Sequence, residues 1–280
     1  MSRSHEATIP PARGFSSSSG GGLKTSTPAS LELLYAAAAA SDPFEGIASA
    51  MSFTKHLLMH NCDVWTPDWY NPTQDPQLGT TIMAVEYDGG VVLAADSRTS
   101  TGTYVANRVS DKITAVAPPY IYCARSGSAA DTQMLADTVR RYVTALALET
   151  QRPATVRTAA ALFRELIYQN KSRLTAGVIC AGWDPLNGGQ VYSITLGGTL
   201  VRQPFSIGGS GSTYIYGYCD ASYRKGMNRE ACIAFCQQAA SLAMARDGSS
   251  GGVLRMVCIE ESGAQRLLFT EDQLPRGWQG

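Results

Sequence analysis

From residue 80 onward the chain alternates between two hydrophobic rhythms, and the first is that of strands. Residues 80–87 are rich in β-formers, Asp88-Gly89-Gly90 is a turn signal, and 91–96 is strand-like again, so the segment reads as a β-hairpin. Residues 120–125 form another short strand pattern. The period then lengthens. Leu135, Val139, Tyr142, Val143 and Leu146 share one face of a helix over 128–149. Val156, Ala160, Phe163 and Ile167 form the stripe of a second helix, with Pro153 near its start, where a missing N–H costs least. Strands at 177–183 and 190–196 flank a turn at 184–189, and 201–207 adds further β content. A Gly/Ser bend at 208–212 leads into a short helix at 214–221. Asn228 supplies a cap for a helix that runs to Arg246, and 252–260 with 265–270 closes the chain as a hairpin.

The order is strands, two helices, strands, two helices, strands. Paired helices between antiparallel hairpins exclude an alternating βαβ fold. An α+β class with two sheets face to face and helix pairs outside buries every stripe. Residues 1–79 differ in texture. They hold a Ser/Gly run at 16–22, five alanines at 36–40 and prolines at 10, 11, 28, 43, 67, 72 and 76. Such a segment buries little and is expected to be largely disordered. Its apolar stretch at 33–40 is short and has no basic flank, unlike a secretory signal.

Composition narrows the chemistry. Of 280 residues, 44% are hydrophobic and 16% charged, with a formal net charge of zero. No basic block exists to neutralise nucleic-acid phosphates, and no apolar run approaches the roughly 18 residues of a membrane span. Seven cysteines at irregular spacing, with Cys232 and Cys236 one helical turn apart, do not complete a zinc set; they read as reduced, buried thiols of a cytosolic or nuclear protein. The three histidines, His5, His56 and His60, all precede residue 80. The body therefore cannot build a Ser-His-Asp or Cys-His arrangement, and a hydrolase made from it needs another base.

Candidate groups cluster at element ends. Asp96 ends the second strand, and Lys112 follows Asp111. Gly127 lies in a strand-to-helix junction, Arg125-Ser126-Gly127-Ser128, where free backbone N–H groups can receive an oxyanion. The bends 208–212 and 247–252 bring hydroxyls and a carboxylate. Taken singly, Gly79-Thr80 is a β-former after a flexible glycine, and Asp96 and Lys112 are a surface ion pair worth little.

Taken together, these blocks resemble a family. Gly79-Thr80-Thr81-Ile82-Met83-Ala84-Val85, Gly90-Val91-Val92-Leu93-Ala94-Ala95-Asp96-Ser97-Arg98, Asn107-Arg108-Val109-Ser110-Asp111-Lys112, Ser126-Gly127-Ser128-Ala129-Ala130-Asp131, Ala181-Gly182-Trp183-Asp184, Gly208-Gly209-Ser210-Gly211-Ser212 and Arg246-Asp247-Gly248-Ser249-Ser250-Gly251-Gly252 are similar to the catalytic β subunits of the eukaryotic proteasome, with features of the caspase-like type. The resemblance implies a four-layer αββα sandwich, the N-terminal nucleophile hydrolase fold, over residues 80–280. It implies a propeptide at 1–79, removed by self-cleavage at Gly79–Thr80. The freed α-amine of Thr80, with a reference pKa of about 7.7–8.0, then supplies the missing base for the Thr80 hydroxyl.

By the same resemblance Lys112 lies beside that hydroxyl, Asp96 pairs with Lys112, and the Gly127 N–H holds the oxyanion. Ser210, Asp247 and Ser250 orient the amine, although Ser249 is an adjacent hydroxyl and the sequence leaves open which serine points inward. Arg125 aligns with an S1-pocket arginine that selects acidic residues. An extended substrate pairs along Thr99, Ser100, Gly127 and Ala129. No cofactor and no metal is implied. The implied partners are other β subunits in a seven-membered ring, α-ring subunits and polypeptide substrates, with no nucleic acid and no membrane, in cytoplasm and nucleus. The alternatives are a non-catalytic structural subunit of the same ring, another N-terminal nucleophile hydrolase, and a binding module with a disordered tail.

Overall fold

The first hairpin sets the architecture. In the computed structural model, which describes residues 79–101 and 104–275, strand β1 (Ile82–Tyr87) pairs antiparallel with β2 (Gly90–Ala95), placing Ile82 opposite Ala95. Nearly every position in both strands is apolar and buried. An antiparallel sheet with one wet face would alternate polar and apolar residues, so this pair must be covered on both sides. Ile82, Ala84, Val91, Leu93 and Ala95 face one way; Met83, Val85, Val92 and Ala94 face the other.

The first sheet is completed by β10 (Phe205–Gly208), β11 (Leu254–Glu260) and β12 (Gly263–Phe269), in the order β10-β1-β2-β11-β12. The second contains β5 (Ile113–Ala117), β6 (Ile121–Gly127), β7 (Ala176–Asp184), β8 (Gly188–Ile194) and β9 (Leu200–Arg202), in sequential order. A short pair, β3 (Thr99–Thr101) with β4 (Tyr104–Asn107), stands apart. Inward residues of the first sheet interdigitate with Ile113, Tyr122, Ala124, Ile179 and Val191 of the second.

Helices α1 (Ala129–Thr150) and α2 (Val156–Gln169) cover the second sheet. Helix α3 (Tyr216–Ser222) and α4 (Arg229–Arg246) lie over the first, where Cys219, Cys232, Phe235, Cys236, Ala239 and Ala243 meet Met83, Val85 and Met256. This is the expected α+β sandwich of four layers, αββα. The α2 stripe of Val156, Ala160, Phe163 and Ile167 is fully buried, and a side chain like Phe163 contributes about 1.5–3 kcal/mol by leaving water. On α1, Leu135, Val139 and Val143 are buried, while Tyr142 and Leu146 are only half-buried at the edge of the stripe.

Several boundaries differ from the sequence reading. Strand β5 and the β3–β4 pair had no predicted counterpart, and 201–207 divides into β9 and β10. Pro153 precedes α2 rather than opening it; Thr155 is the N-cap, its hydroxyl accepting from Thr158 N–H at 3.1 Å. The six cysteines among the described residues are free and buried, and burial pushes the Cys123 thiol up to about 12, so it stays protonated. No described helix is long and apolar enough to cross a membrane. The expected propeptide lies outside the described residues except for Gly79.

Candidate active site

The ends of both sheets converge on Thr80. It precedes β1 and is itself 5% exposed. Its hydroxyl donates to the Gly79 carbonyl at 2.6 Å and accepts from Lys112 Nζ at 3.0 Å. Its backbone N–H donates to Ser210 Oγ at 3.1 Å, and its carbonyl accepts from Gly211 N–H at 3.2 Å. The threonine is thus gripped by the first residue before β5 and by the bend after β10, one from each sheet.

Asp96 organises this end of the fold. It follows β2 and is fully buried. Its Oδ1 accepts from Lys112 Nζ at 2.6 Å and Thr81 N–H at 2.9 Å. Its Oδ2 accepts from Arg98 N–H at 3.2 Å and Gly251 N–H at 3.0 Å. Four donors satisfy a carboxylate whose isolated burial would be costly. Burial pulls the Lys112 ammonium below the ordinary lysine value, and the attraction and hydrogen bond of Asp96 oppose that fall. The pair is therefore no surface salt bridge; removing one partner of such a buried pair typically costs about 3–5 kcal/mol.

A second carboxylate sits on the other flank. Asp247 caps the end of α4, and its Oδ2 accepts from both Ser210 Oγ at 2.7 Å and Ser250 Oγ at 2.6 Å. Ser250 Oγ also lies 2.7 Å from Thr81 Oγ1. Because Ser210 spends its proton on Asp247, its lone pairs are left for the Thr80 nitrogen. Between the two serines that the sequence could not separate, Ser250 is the one in this network. Ser249 instead faces Gly79 and bonds through its backbone N–H to Asp247 Oδ1 at 3.0 Å.

Gly79, Thr80, Asp96, Lys112, Ser210, Asp247 and Ser250 thus form one connected network. Gly127, Thr99, Ser100, Ala129 and the Arg125 side chain stand outside it. Gly127 closes β6 at φ +97°, a conformation that suits glycine, and a Cβ there would lie 2.3 Å from the Thr175 carbonyl. Ser100 is buried in the bulged β3–β4 pair, Thr99 donates to Ser110 Oγ at 2.9 Å, and Ala129 is exposed at the first turn of α1.

Arg125 is joined to the network by its backbone, since its N–H donates to the Lys112 carbonyl at 3.0 Å. Its guanidinium is held by neutral oxygens: Nε donates to Thr114 Oγ1 at 2.9 Å, one terminal nitrogen to Thr132 Oγ1 at 3.3 Å and the other to the Asp111 carbonyl at 3.1 Å. Among the described residues no carboxylate pairs with it. Sequence reading gave no role to Thr114, Thr132 or Thr81 around the site, and it named Ser249 only as a hydroxyl adjacent to Ser250. The doubled threonine at 80–81 was the one visible signal, and it does not say that the second hydroxyl contacts Ser250.

Two β-sheets between helix layers make the sandwich of the N-terminal nucleophile hydrolase fold, and a threonine, a lysine and a carboxylate meet at one end of it. A family model described as Proteasome subunit matches residues 77–259. "Proteasome subunit beta type-6" of Dictyostelium discoideum is 55% identical over 214 residues, covering 76% of this chain and 99% of the relative. "Proteasome subunit beta type-1" of Saccharomyces cerevisiae is 52% identical over 196 residues, 70% of this chain and 90% of the relative. "Proteasome subunit beta type-9" of Mus spicilegus is 50% identical over 204 residues, 73% and 92% respectively. The chain belongs to the proteasome β-subunit family.

Proposed function

We propose that this chain is a catalytic β subunit of the proteasome core, a threonine endopeptidase that becomes active by cutting its own Gly79–Thr80 bond and then prefers to cleave after acidic residues. It assembles with other β subunits and with α-ring subunits and degrades polypeptides in cytoplasm and nucleus. The observation that carries this reading is the Thr80 hydroxyl, 2.6 Å from the carbonyl oxygen of the residue before it and 3.0 Å from a buried lysine nitrogen.

In the first step Thr80 Oγ1 adds to the Gly79 carbonyl carbon. The C–N bond breaks, the hydroxyl proton ends on the Thr80 nitrogen, and residue 79 is left as an ester on Oγ1. Water hydrolyses that ester, releasing a carboxylate at residue 79 and restoring the hydroxyl. The Thr80 nitrogen is now an amine that accepts the hydroxyl proton near neutral pH, where an amide could not. Ser210, held by Asp247, orients it. Charged Lys112 lowers the cost of developing negative charge on Oγ1. Attack on a substrate carbonyl gives a tetrahedral intermediate whose oxyanion is received by the Gly127 N–H. The scissile C–N bond then breaks, the proton taken up by the Thr80 amine passes to the leaving amine, and water hydrolyses the acyl-threonine to release the second product and restore the hydroxyl. Removing one such donor costs about 10²–10³ in rate. The Arg125 guanidinium, anchored by neutral oxygens and with no carboxylate partner among the described residues, supports a pocket for an acidic side chain.

Two measurements on the assembled particle test this. Mass spectrometry should find this subunit starting at Thr80, and Thr80→Ala should leave residues 1–79 attached and abolish peptidase activity. A mature chain still carrying residue 79 sinks the catalytic reading in favour of a structural subunit. Separately, Arg125→Ala should cut hydrolysis of a Glu-ended fluorogenic peptide by roughly tenfold or more. Equal rates with and without Arg125 would remove the acidic preference.

A further inference from the structure

We infer that Ser249 is a positioning residue that reads the residue before the self-cleaved bond and admits only glycine there, an inference that rests on the self-cleavage reading above. Built on the backbone of residue 79, a Cβ would lie 1.6 Å from Ser249 Cβ, 2.6 Å from its Oγ and 2.7 Å from its Cα. Two non-bonded carbons meet at about 3.5–4.0 Å, so no side chain fits at position 79 while Ser249 keeps its place.

Ser249 cannot easily move aside. Its N–H is fixed on Asp247 Oδ1 at 3.0 Å, and the next N–H, that of Ser250, on the Asp247 carbonyl at 3.0 Å. The other carboxylate oxygen of Asp247 holds Ser210 and Ser250, and Ser210 holds the Thr80 nitrogen. A side chain at 79 must therefore either push its own carbonyl away from Thr80 Oγ1 or push the loop that orients Thr80. Both take the reacting carbon out of line. The contact exists only in the uncut chain, because residue 79 leaves with the product. Ser249 thus serves the maturation step through shape, whereas its neighbour Ser250 serves the hydrogen-bond network.

Sterics make Ser249 Cβ, not its hydroxyl, the discriminating atom, and allele-specific rescue in the assembled particle tests it. The readout is the fraction of this subunit still carrying residue 79, followed over time by mass spectrometry. Gly79→Ala is expected to slow the cut by about a hundredfold, the cost of a roughly 1 Å misplacement. Adding Ser249→Gly, which deletes the 1.6 Å contact, is expected to recover part of that loss; the remaining 2.7 Å approach to Cα keeps recovery incomplete. Adding Ser249→Ala instead, which deletes only the hydroxyl, is expected to recover nothing.

Rescue by both variants or by neither overturns the inference, as does a Gly79→Ala chain cut as fast as the unaltered one. A chain damaged in folding does not give this pattern, since only particles that have incorporated the subunit are scored. The Thr80→Ala chain separates the two levels: if it is cut at the same bond, self-cleavage itself is wrong. If it stays uncut while Ser249→Gly fails to rescue Gly79→Ala, only the role of Ser249 is wrong.

Discussion

Lys112 has lost water on nearly every side and keeps a carboxylate 2.6 Å away. The two influences pull its proton in opposite directions, and burial is the larger, so its pKa falls below 10.5. In the proposed mechanism Lys112 acts while protonated; a lowered value means that its charge is lost earlier as pH rises. In the same mechanism the Thr80 amine acts while unprotonated, and the reference value of a free α-amine is about 7.7–8.0. The kcat/KM of the processed particle against an acidic peptide should therefore be bell-shaped, rising as the amine loses its proton, for which the reference value is about 7.7–8.0, and declining before pH 10.5. An alkaline limb at or above that pH would show that Lys112 charge is not required. At this scale the sequence was informative about chemistry and silent about direction. Absence of histidine after residue 60 excluded the usual bases. Nothing local distinguished Ser249 from Ser250, since which of two adjacent hydroxyls reaches Asp247 depends on a turn closed by the Asp247 carbonyl itself.

Elements were legible where their signals are local. The α4 helix begins where Asn228 says it does, because the side chain accepts from Ala231 N–H at 2.8 Å and satisfies an otherwise orphaned donor. Asn228→Ala should cost about 1 kcal/mol of local stability. Hydrogen exchange of the amides at 230–232 in the assembled particle should speed up by roughly fivefold, with little change at Ala239 or Ala240. Uniform acceleration along the helix would mean that the cap is irrelevant to local opening. Strands whose support is distant were not legible. Strand β5, with the sequence ITAVA, has weak alternation and is held by pairing with β6 and by the inter-sheet core. The polar β3–β4 pair exists through a bulged register that no apolar pattern announces. The placement of β11 beside β2, more than 150 residues earlier in the chain, is a nonlocal fact for the same reason.

At the scale of the whole molecule, the site is a property of how two sheets are stacked. Thr80, Asp96 and Ser210 adjoin strands of the first sheet, and Lys112 and Gly127 adjoin strands of the second. The 3.0 Å contact between Lys112 Nζ and Thr80 Oγ1 therefore spans the two layers, and the packing between them sets its length. Leu93 and Met256 separate this effect from stability. Both are buried in the first sheet, where Leu93 is paired with Val257 and Met256 with Ala94. Leu93 points into the inter-sheet core, while Met256 points outward under α4. Truncating either to alanine should cost about 2–5 kcal/mol, with comparable losses in thermal inactivation temperature of the particle. Their effects on catalysis should differ. Leu93→Ala leaves a cavity that lets the sheets approach or shear, so kcat/KM measured well below the inactivation temperature should drop about tenfold or more, since displacements of an ångström carry large penalties in a positioned site. Met256→Ala loosens only the outer helix layer and should stay within about threefold of the unaltered chain, because interiors relax mainly around the void itself. Equal catalytic losses from the two would mean that the Lys112–Thr80 distance is fixed by its own hydrogen bonds and not by the stacking of the sheets.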